Sequence, residues 1–183
     1  GRCNMEYTRE ELMPGVWLTA LRTEKFKTGT LTLSLLSQLD ASTASMHALI
    51  PSVLRRGTVS LPDMESIASC LDTLYGAQAE ASVRRVGEVQ CSGFAATFPE
   101  DRLLPERAGL LKSVSSLLGE LLLRPNTRGG LLLPDYVNSE RDKLIERIRA
   151  QKNDKDSYAV QRLVQLMCPC EAVSAGTLGT EES

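Results

Sequence analysis

The sequence has only one histidine, His47, and few aromatic residues, 4% of 183. A single imidazole counts against a histidine-built metal centre and leaves one side chain that titrates near neutral pH unaided. With aromatics scarce, Leu, Val and Ala must build the core. Neither sign of charge dominates, since 21 Lys and Arg stand against 23 Asp and Glu for a net charge of −2. That balance leaves no electrostatic footprint for nucleic acid or an anionic membrane. Arg55-Arg56 and Arg84-Arg85 read as short solvated pairs. No apolar run approaches the ~20 residues that span a bilayer, and the opening residues do not read as a secretory leader. Five cysteines (Cys3, Cys70, Cys91, Cys168 and Cys170) are odd in number and scattered. They are expected as free thiols in a reducing cytoplasm. Cys168 and Cys170 offer two ligands where a structural zinc site takes four, so no metal or other cofactor is expected.

What is present suffices for one ordinary domain. Hydrophobic residues make up 42% of the chain, enough for a core at this length. The expected domain spans residues 1–170, followed by a polar, small-residue tail over 171–183 that reads as loop or disorder. Gly15–Thr23 and Thr28–Leu39 are predicted strands, the second with Leu31, Leu33 and Leu35 on one face. The short charged link between them predicts an antiparallel hairpin. Asp63 can cap a helix over Asp63–Tyr75 whose stripe is Ile67, Cys70, Leu71 and Leu74. Gln78–Val86 and Glu88–Phe98 read as strands that turn at Gly87. Three helices complete the pattern. Glu106–Leu123 is Leu-rich on most faces, Asp135–Asn153 carries Val137, Leu144, Ile145 and Ile148, and Lys155–Met167 carries Tyr158, Leu163, Val164 and Met167. Strands and helices mix without strict β-α-β alternation, so the class is α+β, with a largely antiparallel sheet packed by helices on one face.

The stretch Ser42–Thr58 (S-T-A-S-M-H-A-L-I-P-S-V-L-R-R-G-T) organises the rest. Met46, Leu49, Ile50, Val53 and Leu54 fall at i, i+3, i+4, i+7 and i+8, the stripe of an amphipathic helix. Ser42, Thr43 or Ser45 can cap its start, and Gly57 follows two basic residues suited to its end. Pro51 falls in its interior, where a missing N–H and a ring against the His47 carbonyl should bend or disturb it.

This stretch resembles the first helix of the insulinase-like (pitrilysin) metallopeptidases. In that family H-x-x-E-H precedes an apolar run, a basic residue and Gly-Thr, two histidines bind zinc, and the glutamate activates water. Alignment on Arg56-Gly57-Thr58 puts Ala48 at the first His, Pro51 at the Glu and Ser52 at the second His. In a later block, Glu140 matches the family's supporting glutamate, and Arg147, seven residues on, stands at the third zinc ligand. No catalytic residue and no metal ligand of the family survives at these positions. The run Asp154-Lys155, Tyr158-Ala159 and Arg162 fits a non-catalytic bacterial branch. The resemblance implies the mitochondrial-processing-peptidase/LuxS-like metallohydrolase fold, here as part of an N-terminal domain. It implies an inactive subunit that binds a peptide or unfolded segment and pairs with an active peptidase homologue, as a hetero- or homodimer. The alternative is an active hydrolase using another constellation, in which His47 would have to serve as the base.

Overall fold

The computed structural model describes residues 5–105, 108–151, 153–168 and 176–179. Its first element is a two-stranded ribbon, β1 (Glu6–Met13) and β2 (Val16–Arg22), paired antiparallel from Glu6↔Arg22 to Met13↔Val16. The predicted pairing of Gly15–Thr23 with Thr28–Leu39 is therefore not formed. Pro14 and Gly15, the latter at φ +80, make a two-residue turn that hands β2 to the strand just before it. Only weak alternation marks Glu6–Met13, which is why β1 escapes a sequence reading.

The main sheet has three strands: β3 (Thr28–Gln38), β4 (Gln78–Val86) and β5 (Val89–Pro99), in the order β3-β5-β4 with every pairing antiparallel. The β4–β5 turn falls at Gly87, as the sequence predicts, with Val86 opposite Val89. Central β5 is the most buried strand. Phe94, Ala96 and Phe98 point into the main core, where they meet Ala79, Leu31 and Leu33 from the flanking strands. Leu35, on the same face, is 42% exposed.

Helices α1 (Ala44–Leu54), α2 (Met64–Thr73) and α3 (Leu110–Leu123) send Leu54, Ile67, Leu71, Val114, Leu118 and Leu121 onto this one face. The fold is thus the expected α+β layer of helices on an antiparallel sheet. Asp63 caps α2, accepting the Ser66 N–H at 2.7 Å. α3 starts later than predicted, after Gly109 at φ +63; Glu106 lies outside the described residues. A small ribbon, β6 (Thr127–Arg128) with β7 (Leu131–Leu132), leads to α4 (Pro134–Gln151), which crosses α1. α5 (Lys155–Met167) forms where the period predicts it, yet its apolar residues are not core. Leu163 and Met167 are 56% and 70% exposed.

In the tail, Gly176–Gly179 is a turn held against the start of α1. Gln90, fully buried, donates from Nε2 to the Ala44 and Thr177 carbonyls at 2.9 and 2.8 Å, and Ser45 Oγ donates to the Leu178 carbonyl at 3.0 Å. Residues 171–175 and 180–183, Cys3 and Cys170 lie outside the described residues. Among the described residues, no helix is long and apolar enough to cross a membrane.

Candidate functional site

α1 runs unbroken across Pro51, whose carbonyl still accepts the Arg55 N–H at 3.1 Å. Its buried line differs from the predicted stripe. Met46 is 55% exposed, while Ala44, Ala48 and Pro51 are buried. The predicted Ser/Thr cap is also absent. Asp40 does this work one turn earlier, accepting from the Ser42 N–H and hydroxyl through its carboxylate and from the Thr43 and Ala44 N–H groups through its carbonyl. The two hydrogen bonds from Ser42 hold the Asp40 carboxyl below the usual range.

Burial of Ala48 sets the distance between α1 and α4. Ala48 is 1% exposed and packs against Leu144 and Ile148. One turn later the two helices part into a cleft of about 520 Å³, floored by Glu80 and Ala81 of β4 and lined by Ser52, Arg55, Arg56, Glu140, Lys143, Glu146 and Arg147. Three of the positions aligned to catalytic machinery, Ser52, Glu140 and Arg147, thus meet on one cleft. Ala48 and Pro51 lie buried beside it.

Glu140 is the pivot. It is 7% exposed, and its Oε1 receives Arg56 Nη1 at 3.2 Å and Lys143 Nζ at 2.8 Å. The Arg56 guanidinium also lies over the Tyr136 ring, 5.2 Å from its centroid. Arg56, read from sequence as solvated surface, is therefore three-quarters buried and central. Its spacing held the clue, because Ser52 and Arg56 are four apart and share a helix face. Arg147, aligned to the third zinc ligand, is exposed at the rim of the cleft. Among the described residues it has no ion pair.

These residues do not fit a zinc ion. Ala48 and Pro51 have no donor atom, Arg147 and Arg56 bring guanidinium groups, and the nearest buried carboxylate already serves two cations. No group of three or more His, Cys, Asp or Glu able to hold a metal forms among the described residues. His47 lies away from the cleft lining. Its Nδ1 meets Ser37 Oγ at 3.1 Å, with no carboxylate bonded to the ring among the described residues. That is a serine–histidine contact without the third group that orients a base.

The Arg-Gly-Thr block behind the resemblance proves structural. A Cβ on Gly57 would stand 2.4 Å from the Pro62 carbonyl oxygen, so only glycine allows this approach. Thr58 is 1% exposed and donates from Oγ1 to Glu120 Oε1 at 2.8 Å, while that same Oγ1 accepts the Leu61 N–H at 2.9 Å. Hydrogen bonds from Ser60 and Thr58 hold the Glu120 carboxyl below its usual range. The end of α1 is thereby clasped to the end of α3.

No profile of a known protein family matches the chain. Over 166 residues it is 36% identical to a protein of Bacillus subtilis named a probable inactive metalloprotease, YmfF, an alignment that covers 90% of this chain and 39% of that one. A crystal structure of a conserved protein from Enterococcus faecalis superposes with a TM-score of 0.84 at 22% identity, covering 96% of this chain and 41% of the other. Another, of a peptidase M16 inactive domain from Pseudomonas fluorescens, gives 0.66 at 12% identity, covering 97% and 40%. The chain spans about two fifths of the length of these relatives. With the fold and the motif positions, this similarity places the chain in the insulinase-like (pitrilysin) peptidase family, beside members named as inactive.

Proposed function

We propose that this domain belongs to a catalytically inactive peptidase-like subunit, one that pairs with an active zinc-dependent homologue and contributes to holding a peptide. The observation that carries the reading is Glu140, bound by Arg56 and Lys143 rather than supporting a metal ligand.

Peptide holding is supported by the edge of the sheet. Among the described residues β4 pairs with β5 on one side only, and its Glu80 and Ala81 line the cleft. An extended segment added to that edge would gain backbone hydrogen bonds and pass the cleft. Pairing is supported by apolar side chains left in solvent, among them Trp17, Leu21, Leu163 and Met167. The free thiols of Cys70, Cys91 and Cys168 suit a reducing, cytoplasmic setting.

The test is reconstitution of the full-length protein with a homologue from the same source that keeps H-x-x-E-H. Light scattering should find a complex, and a quenched peptide should be cleaved only when the homologue is present. Stoichiometric zinc in this protein alone, with chelator-sensitive turnover, would overturn the reading.

A further inference from the structure

The lining of the cleft holds two guanidinium groups that the Glu140 cluster leaves without a partner. Four cations, Arg55, Arg56, Lys143 and Arg147, face three carboxylates, Glu80, Glu140 and Glu146. Two of the cations converge on a single oxygen, Glu140 Oε1. Arg55 and Arg147 then remain, and neither guanidinium has a hydrogen bond or ion pair among the described residues. The Arg55 Nε is moreover shut away from solvent with no acceptor. With Nε closed off, the Arg55 guanidinium meets a ligand in the cleft only through its Nη groups. Glu80 and Glu146 are exposed and keep their water.

From this we infer that the cleft is a carboxylate site: Arg55 and Arg147 bind an acidic group of the peptide laid along the edge of β4. The inference rests on the peptide-holding role and names what that role selects. Guanidinium groups suit the ligand because their planar fork matches the two oxygens of a carboxylate. Glu140 cannot be that carboxylate, since it is committed to Arg56 and Lys143. Position fits as well, because Glu80 and Ala81 bring the strand edge to the cleft. A bound backbone would therefore deliver a side chain or a chain terminus directly to the two arginines.

Fluorescence anisotropy at low salt decides the matter, with the full chain and a labelled Ala/Ser decapeptide. The peptide carries a central Glu or Gln, each made as a C-terminal acid and as an amide. Acidic forms should bind tighter, on the order of tenfold for a charge-assisted contact. The Glu/Gln and acid/amide comparisons tell a side chain from a terminus. Arg147→Gln should erase the preference and Arg147→Lys retain part of it; the residue is exposed on α4, so the fold should tolerate both. Arg55→Gln should act alike, while Glu146→Gln and Glu80→Gln should widen the preference by removing competing charge. Lys112→Gln on the exposed face of α3 should change nothing. Equal binding of acidic and neutral peptides overturns the carboxylate site and leaves peptide holding intact. So does tighter binding of the Gln amide than of the acidic forms. Failure of every peptide to bind overturns both.

Discussion

Replacing Arg56 with Ala tests whether Glu140 is an ion-pair acceptor built into the α1–α4 contact. The substitution removes a charge-assisted hydrogen bond of 3.2 Å to a side chain only 9% exposed, worth ~1.5–3 kcal/mol. It also removes a guanidinium stacked 5.2 Å from the Tyr136 ring centroid, worth ~0.5–1 kcal/mol. Lys143 stays on the same oxygen at 2.8 Å, half exposed, and keeps Glu140 from being an uncompensated buried charge. The loss should therefore be ~2–4 kcal/mol, below that of the same substitution with Glu140 left wholly unpaired. In a domain of this size that lowers Tm by roughly 4–16 °C. Urea unfolding followed by circular dichroism, on Arg56→Ala, Glu140→Ala and the double variant, isolates the pair with an expected coupling of ~1–2 kcal/mol. Arg56→Met with Glu140→Leu should be close to neutral, because a buried ion pair is replaceable by apolar groups of similar size. A coupling within ~0.3 kcal/mol of zero would show that the two side chains meet without interacting, and the account of the site would fail.

Gly57→Ala should destabilise by ~1–3 kcal/mol, the usual cost of overpacking, because its Cβ would stand 2.4 Å from the Pro62 carbonyl oxygen; chemical denaturation reads this directly. Gln90→Leu should leave the Ala44 and Thr177 carbonyls without their donor and speed amide exchange at Gly176–Gly179, with little change in the β4–β5 ladder. The carboxyls of Asp63 and Glu120 are held low in the fold by hydrogen bonds from Ser66 and from Ser60 and Thr58. Their contribution is thus complete above the unfolded carboxyl range, about pH 4, and is lost as pH falls through the lower folded values. Asp63→Asn and Glu120→Gln should each flatten the acid limb of a stability–pH curve. Ala48→His alone, forced against Leu144 and Ile148, should lower Tm and gain no zinc affinity by calorimetry.

Much of this protein is determined locally. Period and punctuation place α2 with its Asp63 cap, the turn at Gly87 and the helices Pro134–Gln151 and Lys155–Met167, because caps, turns and amphipathic spacing act over a few residues. The motif likewise announces a peptidase scaffold without ligands, since Ala48, Pro51 and Ser52 cannot be read as metal donors in any fold. Other features depend on partners distant in sequence. Nothing within α5 says that its stripe stays in solvent. The roles of Arg55, Arg56 and Arg147 were decided in the same way. Arg55 and Arg56 are surface arginines by local pattern and Arg147 is a ligand position by alignment, and only the packing of α4 on α1 brings Glu140 to Arg56 and leaves the other two lining the cleft. A charge takes its role from what surrounds it, and burial and electrostatic pairing are properties of packed elements rather than of sequence neighbours.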